Sequence, residues 1–424
     1  MMSLPGPHDI ARYGLPNGIV LLVRENRASP SVVVTGFLRV GAYDEEVERA
    51  GLADFTASAL ARGTGNRTFE QIYSEVESVG ASFGIGGGIH TTGFGAKSLA
   101  EDLPLVLGIL ADVLRHPVFP EDEVEKLRGE ILADLAERAH DTRRMAHLAF
   151  RELAYPQGHP YAVSSIGYPE TIAAIDRDDL MAFYTGGYGA AGAVIVVVGA
   201  AEPEDVLAQV EDAFGDWVGH TYQRQPLPDV PRIDQVRSRT VAIPDKTQSD
   251  IALGYPGPSR MHPDYLDARV CNTILGVFGL MGRLGENVRD EQGLAYYSYS
   301  HISGGAGPGP WRVIAGVSPA NVERATESIR AEIRRVCEEP VGQEELRDTQ
   351  AYLAGSMPLH LETNGGVASS MLAMERYGLG LDYLQRYKNL IDEVTPERVQ
   401  ATAQRWLDPD AYALAVAGPP TAAG

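Results

Sequence analysis

The chain has 424 residues, of which 44% are hydrophobic and 22% are charged. This length predicts two or more domains, and this composition excludes an intrinsically disordered protein. The net charge of −21 disfavours nucleic acid and anionic membranes as partners and favours cationic peptides. An acidic surface is also an ordinary solubility feature, or the mark of a salt-tolerant host, so the charge alone selects no function.

The sequence shows no targeting or membrane signal. Its first residues lack the charged start and apolar core of a secretory signal peptide, and its longest apolar run, residues 193–198, is too short to span a bilayer. Cys271 and Cys337 are the only cysteines, and they form neither a metal-binding pattern nor a disulfide framework. We therefore expect a soluble, cytoplasmic protein.

Strands and helices alternate along the first half of the chain. Segments rich in β-branched or continuously apolar residues predict strands at residues 19–23, 31–40 and 192–199. A glycine-rich, irregular strand pair is predicted at residues 81–96. Apolar residues at helical spacing predict helices at residues 51–62, 68–79, 99–114, 121–139 and 142–154.

The pattern then pauses and repeats. Residues 221–236 are rich in Pro and Gln, a composition typical of a linker and compatible with a hinge. Beyond them, strands are predicted at residues 248–255, 296–301 and 412–418, and helices at residues 264–275, 319–336 and 343–355. Pro340 and the acidic helix start after it repeat the arrangement around Pro117 in the first half.

This repetition indicates an internal duplication with a period close to half the chain. The fold class that it predicts is α+β, with two similar α/β-sandwich domains, each a mixed or antiparallel sheet covered by helices. We expect an N-terminal domain at residues 1–220, the linker at residues 221–236 and a C-terminal domain at residues 237–424.

One segment suggests a family. Residues 51–64 read GLADFTASALARGT, which resembles GLAHFxEHxxFKGT, the active-site helix of the pitrilysin-type (M16, M16B-like) zinc peptidases. Further segments resemble that family's signatures in the same order along the chain, at residues 15–18, 40–45, 158–161, 193–199, 255–258 and 289–296. The resemblance covers nearly the whole chain and implies two domains in a clam-shell arrangement.

The resemblance also implies that the zinc chemistry has been lost. In the family, His-x-x-Glu-His supplies two zinc ligands and the general base, and here those positions are Asp54, Ala57 and Ser58. The family's third ligand is a Glu on a later helix, and the matching position is Asp134. We therefore expect no metal and no cofactor in this chain, with zinc in a partner subunit.

Two other roles for these carboxylates remain open at the level of sequence. Asp54, Asp134 and a hydroxyl suit a hard cation better than zinc. The more ordinary possibility is that the two carboxylates cap helices or pair with Arg62 or Arg128.

The second half retains two residues that the family uses in catalysis. Arg289 and Tyr296 lie seven positions apart, and Gly293 between them is a natural helix stop. In the family, an Arg and a Tyr at this spacing bind the substrate backbone and stabilise the oxyanion of a partner's active site. The structural alternative is that Arg289 complements a helix C-terminus and Tyr296 packs as a strand aromatic.

Two glycine-rich stretches carry weaker signals. Gly276, Gly279 and Gly282 resemble the substrate-handling loop of the non-catalytic subunit of mitochondrial processing peptidase, or they form a helix connection that needs small residues. Residues 84–92 lie where the family pairs a peptide with an edge strand, and the run Gly86-Gly87-Gly88 makes that role doubtful here.

Three functions follow as hypotheses. The first is a non-catalytic subunit of a heterodimeric metallopeptidase that hydrolyses peptides with a partner carrying His-x-x-Glu-His. The second is a structural or peptide-binding pseudopeptidase, such as a homodimer, similar to the core subunits of the cytochrome bc1 complex. The third, an independent hydrolase, is disfavoured because the sequence has no Gly-x-Ser-x-Gly elbow and no evident triad.

Overall fold

The computed structural model describes residues 4–224 and 226–420. The strands of the first sheet are β1 (Ala11–Gly14), β2 (Val20–Glu25), β3 (Ser31–Leu38), β4 (Ser82–Gly87), β5 (Thr92–Leu99) and β6 (Val194–Gly199). Those of the second sheet are β7 (Arg237–Ala242), β8 (Ser249–Pro256), β9 (Ala295–Ile302), β10 (Pro310–Val317) and β11 (Ala413–Gly418).

The helices fall into a first set before the linker and a second set after it. The first set is α1 (Leu52–Ala59), α2 (Phe69–Ser78), α3 (Leu103–Arg115), α4 (Glu121–Ala139), α5 (Thr142–Ala154), α6 (Pro169–Ala174), α7 (Arg177–Gly187) and α8 (Pro203–Phe214). The second set is α9 (Tyr265–Gly276), α10 (Phe278–Leu284), α11 (Val322–Glu338), α12 (Gln343–His360), α13 (Asn364–Arg376), α14 (Tyr383–Asp392) and α15 (Pro396–Trp406). No helix in the described ranges combines the length and apolar character that crossing a membrane requires.

The two sheets share one topology. The first has the order β1-β2-β6-β3-β5-β4 and the second β7-β11-β8-β10-β9, so that, apart from β1, each strand has a counterpart at the same place. The single parallel pair also recurs, as β2 with β6 and as β7 with β11. This shared order confirms the predicted α+β fold and the internal duplication.

By contacts the chain divides into two compact units, each of which takes segments from both halves of the sequence. One unit comprises residues 4–134, 164–224 and 357–386, and the other residues 135–163, 226–356 and 387–420. Helix α5 therefore packs on β8 and β11 of the second sheet, whereas α13 packs on β6 and β3 of the first. The domain boundaries at residues 220 and 237 stay a prediction. The structure adds an exchange of helices: α5 precedes the linker but packs on the second sheet, and α13 follows the linker but packs on the first.

The core of the first unit shows why α13 belongs there. Strand β6 is buried along its whole length, as its uninterrupted Val-Ile-Val-Val-Val run predicts. One of its faces packs on α13, in a cluster that includes Val194, Val196, Val198, Met371 and Met374. The face of the first sheet that α13 covers is thus as apolar as an ordinary domain core.

The glycine-rich strand pair at residues 81–96 forms β4 and β5, and β4 is an edge strand of the first sheet. Its glycines do not interrupt the pairing, because Gly86 lies opposite Gly93 and Gly87 opposite Thr92. The expectation that peptide pairing at the outer edge of β4 is doubtful stays a prediction.

Candidate functional site

The helix that carries the altered motif begins with an unusual turn. Gly51 precedes α1 with φ +96°, and a Cβ there would lie 2.8 Å from the Cα of Gly167, so only glycine fits. Glu45 then accepts hydrogen bonds from the amides of Gly51 at 3.0 Å and Ala53 at 2.7 Å. Its carboxyl group therefore caps the amide end of α1, where the helix dipole favours a negative charge.

The positions that hold zinc ligands in the family come together in this unit. Asp54 and Ser58 are both partly buried and lie one helical turn apart on the same face of α1. Ala57, at the position of the general base, is completely buried. Asp134 on α4 is exposed, and its charge raises the pKa of Asp54, so the two carboxyl groups are near neighbours.

Burial disfavours the ionised forms of Asp54 and Glu45 more strongly than the nearby backbone amides favour them. Burial raises the pKa of Asp54 to about 6, with a further increase from Asp134, against the hydrogen bond from the amide of Gly87. Burial likewise raises the pKa of Glu45 to about 8, although the amides of Ala53 and Gly51 oppose the shift. Near neutral pH, Glu45 is therefore largely protonated and Asp54 titrates just below that range.

These residues do not fit a zinc ion. Zinc in proteins takes imidazole or thiolate ligands in a tetrahedral set, usually with at most one carboxylate, whereas the donors here are two carboxyl groups and a hydroxyl. The raised pKa of Asp54 and its bond from Gly87 further weaken it as a ligand. Across residues 4–224 and 226–420 there is no group of three or more His, Cys, Asp or Glu side chains that could hold a metal.

The arginines expected as alternative partners are engaged elsewhere. Arg62 pairs with Glu130 and lies 3.7 Å from Glu123. Arg128 pairs with Glu125 at 2.8 Å and donates a hydrogen bond of 2.6 Å to the carbonyl oxygen of Ile172. Burial, the largest cause of the raised pKa of Asp54, is therefore not offset by either arginine, and the role of the two carboxyl groups as helix caps or ion-pair partners stays a prediction.

We expect the stability of the first unit to fall as pH rises from about 4.5 to about 8. A carboxyl group whose pKa is raised by folding contributes stability that is complete below the unfolded pKa and is lost as pH rises through the folded pKa. Glu45 and Asp54 act in the same direction. At about 1.4 kcal/mol for each unit of pKa, Glu45 alone accounts for roughly 4 kcal/mol. Urea unfolding at pH 5 and pH 8.5 measures the change.

The matched variants are Glu45→Gln and Glu48→Gln, which remove a partly buried and an exposed carboxyl group three positions apart. Glu45→Gln should make the free energy of unfolding less dependent on pH. If the variant is less stable than the wild type at pH 5, that difference should disappear at pH 8.5. Glu48→Gln should leave the slope unchanged. An equal slope in the wild type and Glu45→Gln would contradict the assignment.

The second unit places Arg289 and Tyr296 as the sequence predicts, at the end of a helical turn and the start of a strand. A π-helical turn, Gly285–Glu291, contains Arg289, and Gly293 follows with φ +60°. Arg289 forms a bidentate pair with Asp290, with Nε 2.7 Å from Oδ1. An exposed ion pair of this kind is weak, so the guanidinium can exchange it for another hydrogen-bond acceptor.

A β-bulge, which the sequence did not reveal, presents Tyr296 to solvent. In the ladder between β9 and β10, Gly316 pairs with Tyr297 and Val317 with Ala295, so Tyr296 is the extra residue. Its side chain is 85% exposed. Bulges re-aim side chains beside functional sites, whereas a packed strand aromatic would be covered. The catalytic roles of Arg289 and Tyr296 stay predictions.

The neighbouring Tyr297 anchors this strand, and sequence reasoning missed it. Its hydroxyl donates a short hydrogen bond to the buried carboxylate of Asp250, which also accepts a bond from Thr142. Arg143 donates to the Tyr297 hydroxyl at 3.0 Å and lies over its ring. The adjacent tyrosines 296 and 297 were the available signal, since successive strand residues point to opposite faces.

The glycine-rich loop is constrained by packing at two of its three glycines. A Cβ on Gly276 would lie 2.2 Å from the amide of Ser300, and one on Gly282 would lie 2.4 Å from the carbonyl of Ile274. Gly279 has open space around it and needs glycine only for its φ of +52°. Gly276 and Gly282 thus fit the predicted helix connection that needs small residues.

Residues 279–282 lie within the bounds of α10 but have non-helical backbone angles, so this part of the segment is a strained and exposed loop. Leu280 and Met281 both have positive φ, at 56° and 91°, which non-glycine residues seldom adopt. The side chain of Leu280 is 69% exposed. Strain held in an exposed loop is a feature of functional segments, so the predicted substrate-handling role of this loop stays open.

Comparisons with known proteins agree with this arrangement. The family model described as Insulinase (Peptidase family M16) matches residues 20–160, and the one described as Peptidase M16 inactive domain matches residues 174–353. The chain is 29% identical over 416 residues to an uncharacterized zinc protease of Streptomyces coelicolor, covering 95% of this chain and 88% of that protein. It is 24% identical over 423 residues to an uncharacterized zinc protease of Bacillus subtilis, covering 97% and 98%.

Solved structures share the fold. A peptidase M16 inactive domain from Pseudomonas fluorescens superimposes with a TM-score of 0.90 at 25% identity, covering 98% of this chain and 99% of that chain. A protease from Helicobacter pylori superimposes with a TM-score of 0.88 at 20% identity, covering 98% and 100%.

These structures share the duplicated fold of sheets and helices described above, which is the fold of the M16 peptidases. Because the two family models follow one another along most of the chain, this chain belongs to the M16 peptidase family.

Proposed function

We propose that this chain is the zinc-deficient subunit of a heterodimeric M16-type metallopeptidase. A homologous partner with an intact His-x-x-Glu-His motif would hold the zinc ion, which activates water and polarises the scissile carbonyl when bound. This chain would carry no cofactor, would be inactive alone, and would contribute Arg289 and Tyr296 to peptide hydrolysis in the cytoplasm.

The observation that carries the proposal is the contrast between the two units. In the first, the ligand and base positions hold Asp54, Ala57 and Ser58, a set that suits neither zinc nor general-base catalysis. In the second, the bulge of β9 leaves Tyr296 exposed, with Arg289 on the preceding turn. An exposed tyrosine on a bulge is available to contact a bound peptide, which supports the proposal.

Each of the two residues has a chemical role in this proposal. The hydroxyl of Tyr296 donates a hydrogen bond to the oxygen of the scissile carbonyl as negative charge develops there. The guanidinium of Arg289 leaves Asp290 and donates to a backbone carbonyl of the substrate, which fixes the register of the peptide.

The test is a peptide-cleavage assay on this chain alone, on an M16 partner with His-x-x-Glu-His alone, and on the two mixed. We expect the mixture to exceed the partner alone by about 10²-fold or more in kcat, the usual loss when one oxyanion donor is absent. Elemental analysis should find no stoichiometric zinc in the purified chain. A mixture no faster than the partner, or one zinc per chain, would refute the proposal.

The same assay separates the alternative function, a structural or peptide-binding pseudopeptidase similar to the core subunits of the bc1 complex. That function requires a stable dimer, such as a homodimer, and no gain in cleavage on mixing. Sedimentation of the chain with and without the partner decides which dimer forms.

A further inference from the structure

The second sheet carries a cluster of basic side chains that neither the zinc positions nor the Arg289–Tyr296 pair includes. We call Arg143, His147, His301 and Arg312 the basic cluster. Arg143 and His147 lie on α5, Arg312 on β10 and His301 on β9. The register of the sheet pairs Arg312 directly with His301, and α5 packs over the neighbouring strands β8 and β11. The cluster therefore occupies the surface where α5 borders β9 and β10.

The cluster contains buried donors that lack acceptors. Arg312 Nε and His147 Nε2 are both buried, and neither has a hydrogen-bond partner in the described part of the chain. A buried polar atom without a partner costs about 1–3 kcal/mol, so each one calls for an explanation, such as a bound ligand or an ordered water molecule. Here two such nitrogen atoms belong to side chains close enough to repel each other electrostatically.

Burial and the neighbouring positive charges lower the pKa values of both histidines in the cluster. Burial lowers the pKa of His147 to about 3, and Arg312, Arg143 and His301 lower it further, with only Asp141 acting in the opposite sense. The pKa of Arg312 is lowered by burial and by Arg151, whose guanidinium donates to the carbonyl oxygens of Tyr161 and Val163. A negative group bound here would relieve both the burial cost and the repulsion.

The nearby carboxylate is already committed. Asp250 accepts hydrogen bonds from Tyr297 and Thr142, and its Oδ1 lies 4.0 Å from Arg143 Nε. No carboxylate of the described residues lies within 4.0 Å of Arg312. In a chain with a net charge of −21, Arg312 is therefore a basic group that has no ion-pair partner among the described residues.

We propose that the basic cluster binds a carboxylate of a peptide, with Arg312 as the principal donor and His301 and His147 beside it. This inference rests on the proposed function insofar as the ligand is a peptide. A guanidinium matches a carboxylate with two parallel hydrogen bonds, and a peptide offers carboxylates both on Asp and Glu side chains and at its C-terminus.

The geometry also allows a ligand to reach the cluster. His301 is exposed and the Arg143 side chain is 48% exposed. Arg143 and Tyr297 line one pocket together with Lys246 and Gln248, and Glu137 and Asp141 line the same pocket beside Asp250. Because those two acids would repel a carboxylate, the preferred position for it is the Arg312 end of the surface.

The experiment is isothermal titration of the full chain with ten-residue peptides of Ala, Ser and Leu. One peptide has two Glu residues and an amidated C-terminus, one has two Gln residues and a free C-terminus, and one has two Gln residues and an amidated C-terminus. We expect at least one of the first two to bind about 10-fold more tightly than the third. Which one does so identifies the source of the carboxylate.

The overall charge of the protein makes this preference diagnostic, because a net charge of −21 repels acidic peptides. Arg312→Gln should abolish the preference, and His301→Ala should reduce it. The matched control is Arg347→Gln, which removes the same charge from an exposed side chain of α12 whose guanidinium bonds a backbone carbonyl. No preference for a carboxylate, or a preference that survives Arg312→Gln, would overturn the proposal.

Thermal unfolding distinguishes loss of a binding site from loss of the fold. Because Arg312 is partly buried and its Nε lacks a partner, Arg312→Met should keep or raise Tm, by a few degrees at most. A marked fall in Tm would show that Arg312 is structural and would overturn the proposal. Peptide binding by the isolated chain does not depend on peptide cleavage by the mixed enzyme. If no carboxylate preference is found, the proposed function still stands. If the mixture cleaves no faster than the partner alone, the basic cluster can still be tested by titration.

Discussion

Replacing Tyr296 by Phe is expected to lower kcat of the mixed enzyme by about 10²-fold or more and to change KM little. The phenol hydroxyl stabilises charge that exists only in the transition state, so its loss affects the chemical step and leaves ground-state binding nearly intact. Since the Tyr296 side chain is 85% exposed on a β-bulge, removing its hydroxyl breaks no packing. Steady-state cleavage of a saturating peptide by the two-subunit enzyme measures the change.

The control is Tyr352→Phe, which removes a hydroxyl from another exposed tyrosine of the same unit, one that packs against Phe278. This variant should retain the full rate. Both variants should assemble with the partner as the wild type does, which sedimentation verifies. If kcat of Tyr296→Phe equals that of the wild type, Tyr296 has no part in catalysis and its exposure needs another explanation.

The fold was predictable because it follows from the order of the predicted strands and helices along the chain. The alternation of strands and helices, repeated after residues 221–236, indicates a duplicated α+β fold, and the two sheets have the same strand order. The valine-rich run of β6 identifies a strand buried on both faces. Local pattern and global fold agree here, as they do in most natural sequences.

The environment of the site was not predictable from the sequence. The loss of imidazoles at residues 54 and 58 is visible in the sequence, but the raised pKa of Asp54 arises from its burial in the folded unit and from the charge of Asp134 on α4. The exposure of Tyr296 depends on a one-residue shift in the ladder with β10. Neither property can be computed from residue type and spacing, because both arise from contacts between distant segments.

The exchange of α5 and α13 was equally hidden. The sequence of each helix has an apolar face. This pattern predicts that the face is buried, but it does not predict which of the two sheets buries it. Phe150 on α5 and Met371 on α13 are both completely buried. The side on which each helix packs is decided by the folded structure of the adjoining sheet.

This exchange makes a strong prediction about fragments. Residues 1–220 alone are expected not to fold to a stable monomer, although they contain every strand of the first sheet. The fragment lacks α13, whose Val367, Met371 and Met374 are each at most 3% exposed in the cluster with β6. At about 1.5–3 kcal/mol for each large apolar side chain, their loss removes roughly 5 kcal/mol or more, as much as many domains possess. Circular dichroism and sedimentation measure the outcome.

Residues 237–424 added in trans should restore folding, because they return α13 to the first sheet and receive α5 from the first fragment. In the intact chain, Met371→Ala should reproduce part of the effect and cost about 2–5 kcal/mol. Leu359→Ala, on a side chain that is 65% exposed, should change stability by no more than about 0.5 kcal/mol. A soluble, cooperatively unfolding fragment of residues 1–220 would mean that the first half completes its own core, and the exchange of helices would then be dispensable for folding. If the fragment instead folds only with its complement, the two halves fold as one interdependent structure, and the linker at residues 221–236 joins sequence segments without separating independent domains.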